Sequence, residues 1–180
     1  MKRSLQILFF LFLLMPALSQ AQDNVEEVLN WSGSRKLTWS DYKANPNPQS
    51  DAAASTTTLL SISYKISSNS FTYTIKSYFS RTRSWGRHKS DYILSHEQGH
   101  FDIAEIFARK LHKKMSEYKF DKKTYQKDLN KIYQEVVDEK EKMQNEYDEE
   151  TNHSINKEKQ AAWLKKIAEK LEELADYADY

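Results

Sequence analysis

The spacing of apolar residues changes near residue 90, and this change limits the folds that the chain can adopt. Residues 56–66 and 71–79 alternate apolar with polar side chains, as half-buried strands do, and a short polar stretch joins them. From about residue 91 onward, apolar residues recur every three or four positions, which is typical of amphipathic helices. Because the strands precede the helices instead of alternating with them, the chain is predicted to be α+β.

The elements can be placed approximately along the chain. Three helices are predicted, over residues 91–118, 122–145 and 156–177. A β-hairpin at 56–79 and an N-terminal strand are expected to form a small antiparallel sheet, which packs on the first helix and on the two further C-terminal helices. In the Trp-bearing segment Asn30–Asp41, the residues Trp31, Leu37 and Trp39 are expected to be core anchors.

The N-terminus has the composition of a signal peptide. Two basic residues precede an apolar run from Ile7 to Leu14, and a small-residue cleavage pattern ends at Ala21. We therefore predict a signal peptide at residues 1–21 and an exported chain, periplasmic or secreted, that forms a single domain at residues 22–180. No membrane span is expected after cleavage, because no later apolar stretch is long enough.

Composition restricts the chemistry that the protein can perform. The chain has no cysteine, so disulfides, thiolate ligands and thiol nucleophiles are excluded, and a metal site must use His, Asp or Glu. Its 27 Lys and Arg residues nearly balance its 26 Asp and Glu residues, so no basic surface suggests nucleic acid as a partner. Nothing in the sequence indicates the oligomeric state.

Residues 96–100 match the pattern H-E-x-x-H, which is common in zinc-dependent peptidases. Residues four apart lie on the same face of a helix, so His96 and His100 can bind one ion through two imidazole nitrogens. Glu97 is then adjacent to the ion, where it can take a proton from metal-bound water. We predict Zn²⁺ as the cofactor because nitrogen and oxygen ligands suit it.

The residues around the motif indicate that its helix is partly buried. Ile103, Phe107 and Leu111 share the flank of the helix that carries the two histidines. Two core histidines that each bond to a carbonyl would be an alternative, but it gives no role to Glu97. Glycine costs about 1 kcal/mol within a helix, so Gly99 is expected to mark a close approach of a strand, a loop or substrate.

A catalytic zinc site needs a third protein ligand, and helix geometry excludes the nearest candidates. Asp102 and Glu105 lie roughly 140° and 160° around the helix from the histidines, so they should point away from the ion. His112 lies three turns further along the helix and is too distant.

Candidates farther along the sequence remain for the third ligand. We favour His153, which lies in the predicted connection between the second and third helices, over Glu149, Glu150 and His88. Asp148 or Glu150 could instead orient a ligating histidine through a hydrogen bond.

Four segments carry a resemblance to a known family: residues 35–42, 84–85, 96–103 and 147–153. In these segments the chain resembles the DUF922 family of bacterial exported proteins, which are described as predicted secreted zinc-dependent proteases. The resemblance implies a zincin-like metallopeptidase with His96 and His100 as ligands and Glu97 as base. It also covers the segment that contains His153.

The expected activity is hydrolysis of a peptide or protein substrate by a metal-activated water, with Glu97 as general base. Tyr147, His88 or Arg87 could stabilise the developing oxyanion, and a hairpin strand could pair with an extended substrate. The alternative is a non-catalytic exported zinc-binding or interaction domain, in which the motif is structural or vestigial.

Overall fold

A computed structural model describes residues 26–67 and 71–180, so the predicted signal peptide lies outside the described residues. The architecture is α+β, as predicted. Its strands are β1 (Val28–Asn30), β2 (Ala54–Ser55), β3 (Thr58–Ile66), β4 (Phe71–Ser80) and β5 (Trp85–Gly86), and its helices are α1 (Asp91–Glu117), α2 (Tyr125–Thr151) and α3 (Lys157–Glu173). Short 3₁₀ helices occur at Trp39–Asp41 and Ala175–Tyr177.

The predicted hairpin and N-terminal strand form one antiparallel sheet. Strands β3 and β4 pair from Thr58 opposite Phe79 to Ile66 opposite Phe71, and β1 pairs with the other edge of β4. A second, two-stranded sheet joins β2 to β5 and was not predicted from the sequence. This short ladder fixes the backbone just before Thr56.

Helix α1 occupies the centre of the molecule. It packs against β3 and β4 as well as against α2 and α3. Ile103, Phe107 and Leu111 are all buried, which confirms the predicted core face. Of the predicted N-terminal anchors, Leu37 is buried, while Trp31 and Trp39 are partly buried against the same cluster. In the part of the chain that the structure describes, no helix has both the length and the apolar character needed to cross a membrane.

The sequence-based end of the second helix was wrong. We predicted that it stops at residue 145, whereas α2 continues to Thr151 and is capped by Asn152 in the left-handed conformation, with φ of 48°. Met143 and Tyr147 are buried and continue the apolar stripe at helical spacing through an acidic stretch. Segment 147–151 is therefore helix, and not the connection that we expected.

Candidate metal centre

The motif lies near the start of α1, where Ser90 caps the helix by accepting a hydrogen bond from the backbone of Ile93. His96 is buried and His100 is mostly buried, and their Nε2 atoms are 3.2 Å apart. Asp148 Oδ1 lies 3.1 Å from each of these nitrogens. These three donor atoms form a cluster that could hold a metal ion.

Helix α2 brings Asp148 into the site and also orients His100. Gln144 lies one turn before Asp148, and its amide nitrogen donates to the His100 carbonyl over 2.9 Å. The amide oxygen of Gln144 therefore faces His100 Nδ1, which donates to it. With its proton on Nδ1, a neutral His100 presents the lone pair of Nε2 to the cluster.

His96 is positioned by stacking. The ring of Tyr147 lies parallel to the imidazole, with centroids 4.4 Å apart and an interplanar angle of 22°. The Tyr147 hydroxyl donates to the His96 carbonyl over 3.2 Å. Because Tyr147 is fully buried between the helices, it is not placed to contact a substrate oxyanion in the cleft. His96 Nδ1 is buried and has no hydrogen-bond partner among the described residues.

Gly99 allows this packing. A Cβ atom at Gly99 would lie 2.6 Å from the Tyr147 hydroxyl oxygen and 2.9 Å from two of its ring carbons. The expected close approach at Gly99 is therefore present, but the group that approaches is a side chain of α2 rather than a strand, a loop or substrate.

Glu97 is buried beside the cluster, and a residue that sequence reasoning missed holds it there. Glu97 Oε2 accepts a hydrogen bond of 2.6 Å from Thr56 Oγ1. Thr56 in turn lies 2.8 Å from the Tyr42 hydroxyl. No local sequence signal marks Thr56, because its role depends on the second sheet, which was not predicted.

His153, the predicted third ligand, lies at the rim of the cluster. Its Nδ1 atom is 3.5 Å from Asp148 Oδ1, and its side chain is 70% exposed. It belongs to a run of left-handed backbone, Asn152 to Ser154, that follows α2. The structure thus places Asp148 within 3.1 Å of both histidines and His153 next to Asp148, and the role of His153 as a ligand stays a prediction.

The other candidates lie elsewhere. Glu150 accepts a hydrogen bond of 3.0 Å from the Trp163 indole, Glu149 is exposed, and His88 is exposed before α1. Asp102 and Glu105 point away from the histidines, as helix geometry predicted. Asp102 accepts hydrogen bonds from Trp31, Lys36 and Gln98, and Glu105 pairs with Arg109.

His100 and Asp148 shift each other's pKa in the directions that favour their charged forms. Burial lowers the pKa of His100, but hydrogen bonding to Asp148 and the negative charges of Asp148 and Glu97 outweigh it, so its pKa lies above the ordinary 6.5. Burial raises the pKa of Asp148, but the two histidines lower it far more, so the net pKa lies well below the usual range. At neutral pH Asp148 is therefore a carboxylate, the form that binds metal.

The cluster opens into a cleft of about 560 Å³. One wall is the chain around β2, from Ser50 to Thr56, and the opposite wall is the face of α2 from Lys140 to Asp148. The motif histidines and Glu97 lie between these walls. The donor cluster is therefore reachable from solvent through a groove.

The donor set fits a zinc ion in number, type and spacing. Two atoms bound to a tetrahedral zinc at about 2.0 to 2.1 Å lie about 3.3 Å apart. The separations among His96 Nε2, His100 Nε2 and Asp148 Oδ1 are 3.1, 3.1 and 3.2 Å. Two imidazoles and one carboxylate are a common ligand set of catalytic zinc.

Comparison with known proteins places the chain in a family. No curated protein and no solved structure matches it. A family model described as a bacterial protein of unknown function, DUF922, matches residues 21–154, a range that contains every residue of the cluster and ends before α3. The chain therefore belongs to the DUF922 family of bacterial proteins.

Proposed function

We propose that this protein is an exported, zincin-like zinc metallopeptidase that hydrolyses peptide bonds. The observation that carries the proposal is the cluster of His96 Nε2, His100 Nε2 and Asp148 Oδ1, which lies beside Glu97 in an open cleft. Zinc bound there would polarise a substrate carbonyl and acidify a water molecule.

Each residue of the site has a distinct task in this proposal. His96, His100 and Asp148 hold the ion, and Gln144 and Tyr147 orient the two imidazoles. Glu97 takes the proton of the attacking water and returns it to the leaving amine.

The cleft suits an extended polypeptide. The chain around β2 forms one wall, and extended backbone of this kind can hydrogen-bond to a substrate strand. Arg87, considered as an oxyanion donor, instead donates to the carbonyls of Asn47 and Ser50 and so shapes this wall. Its contribution to catalysis is therefore structural.

The test uses purified residues 22–180, the Glu97→Gln variant, and a peptide library analysed by mass spectrometry. Wild type should bind one zinc per chain and cleave peptides, and a chelator should abolish cleavage. Glu97→Gln should retain zinc and lose at least about a hundredfold in rate, because it cannot accept the proton. If Glu97→Gln cleaves peptides as fast as wild type does, Glu97 is not the general base and the mechanism is wrong.

One observation favours a second candidate, a non-catalytic zinc-binding domain. His153 lies 3.5 Å from Asp148, close enough for a small loop movement to make it a fourth protein ligand. A site closed in this way would be structural. His153→Ala would then weaken zinc binding and library cleavage would be absent in wild type, whereas a peptidase with three other ligands retains its zinc in this variant.

A further inference from the structure

We infer that Thr56, held by Tyr42, is a positioning residue that fixes Glu97 for its role as general base. The inference rests on the proposed peptidase function and adds to it two residues outside the motif. It stands on a chain of two short hydrogen bonds that joins the N-terminal part of the protein to the motif helix.

The direction of these hydrogen bonds is determined by their chemistry. A carboxylate only accepts, so the Thr56 hydroxyl donates its single proton to Glu97 Oε2. The Tyr42 hydroxyl must then donate to Thr56 Oγ1. Burial and the charge of Glu97 raise the pKa of Tyr42 far above its ordinary value, so Tyr42 keeps the proton that it donates.

Tyr42, at one end of these two hydrogen bonds, is packed in the core. The Tyr42 ring is buried, with centroids 5.0 Å from Phe79 and 4.9 Å from Trp39. The preceding turn is closed by Asp41, whose carboxylate accepts a hydrogen bond from the backbone of Thr38 over 2.9 Å. The position of the Thr56 hydroxyl is therefore set by a packed core and not by solvent.

This arrangement divides the two oxygens of Glu97 between two tasks. Thr56 engages Oε2 through a charge-assisted hydrogen bond, the stronger kind, so we assign Oε1 to the water. A carboxylate held at one oxygen loses less freedom when the other accepts a proton in the transition state. Since Thr56 follows β2, the same contact also fixes the cleft wall relative to the base.

The first experiment measures peptide cleavage by Thr56→Val, which removes the hydroxyl at nearly constant shape, and by Thr56→Ser, which keeps it. The substrate is a fluorogenic peptide that carries a sequence cleaved in the library. Thr56→Val should bind zinc as wild type does and keep KM within about twofold, while kcat falls about 10- to 100-fold. Thr56→Ser should restore kcat to within about threefold of wild type. Thr72→Val, at an exposed position of β4, is the matched control and should match wild type.

A second experiment is independent of hydrolysis. Thr56→Val is measured by urea unfolding in the wild-type background and in Glu97→Ala. If the hydroxyl acts on Glu97, the variant lowers the urea midpoint more in the first background than in the second, where only its hydrogen bond with Tyr42 is lost.

These results separate the inference from the function on which it rests. Equal midpoint losses in both backgrounds, an unchanged kcat in Thr56→Val, or a kcat that Thr56→Ser does not restore would each overturn the inference. If wild type cleaves no peptide while the midpoint loss still depends on Glu97, the peptidase proposal fails and the contact between Thr56 and Glu97 stands.

Discussion

Gly99 is important because it has no side chain, which leaves room for the Tyr147 ring. Alanine is favoured over glycine within a helix by about 1 kcal/mol. At position 99, however, its Cβ would clash with the Tyr147 side chain, which is fully buried and has little room to move. We expect Gly99→Ala to lower the free energy of unfolding by about 1 to 2 kcal/mol, measured by urea denaturation.

Gly33→Ala is the control for this prediction. Its Cβ would meet only Trp31, at an ordinary 3.5 Å, and Gly33 does not have a positive φ angle. This variant should therefore be as stable as wild type or slightly more stable. A Gly99→Ala protein as stable as Gly33→Ala would show that the Tyr147 ring can move away.

Asp148 is the residue that the structure adds to the candidate ligands. Its Oδ1 atom lies 3.1 Å from both imidazole nitrogens, whereas His153 Nδ1 lies 3.5 Å from Asp148 Oδ1. Asp148→Ala should therefore weaken zinc binding at least about tenfold, measured by competition with a fluorescent chelator. If His153→Ala weakens binding more than Asp148→Ala does, His153 is the third ligand, as the sequence suggested.

Three of the four predicted site residues lie on a single helix, while His153 follows another helix. His96, Glu97 and His100 have a spacing that helix geometry explains without any knowledge of the fold. Asp148 was considered only as a partner of a ligating histidine, and α2 was expected to end before it. The buried residues Met143 and Tyr147, four positions apart, were the available sign that this helix continues.

Asp102 binds the N-terminal segment to α1, on the side of the helix opposite the metal cluster. Asp102 accepts hydrogen bonds of 2.7 Å from the Trp31 indole and from Gln98, and it pairs with Lys36 at 3.3 Å. This contact holds the segment that carries Tyr42, so it supports the site without touching it.

Asp102→Ala should weaken the attachment of the N-terminal segment to α1 without affecting metal binding. Loss of the Asp102 carboxylate leaves partly buried donors without this acceptor, so the free energy of unfolding should fall by about 1 to 3 kcal/mol. Limited proteolysis should cut the N-terminal segment faster, while zinc stoichiometry stays that of wild type. A loss of zinc in this variant would contradict this expectation.

At the scale of the whole molecule, the predicted α+β class, the hairpin and three helices were confirmed because apolar periodicity is a local signal. The pairing of β2 with β5 could not be predicted, since strands of two residues have no periodicity. The site depends on both kinds of element. Glu97 and Thr56, which are far apart in the sequence, form their hydrogen bond because this short ladder packs against α1.

Metal binding and pH should act together on the stability of the whole protein. Without metal, the raised pKa of His100 means that the folded state holds its proton more tightly than the unfolded state. That contribution to stability is complete below the unfolded pKa near 6.5 and is lost as pH rises through the folded pKa. Zinc requires neutral imidazoles, so its stabilisation grows over the same range.

The difference in urea midpoint between zinc-loaded and chelator-treated protein should therefore widen from pH 6 to pH 8. Free zinc at about a hundred times its Kd would add about 2.7 kcal/mol to the free energy of unfolding. In Asp148→Ala, which lacks both a ligand and a carboxylate that raises the pKa of His100, the difference should be smaller than in wild type at each pH. A constant difference in wild type would show that zinc binds away from His100.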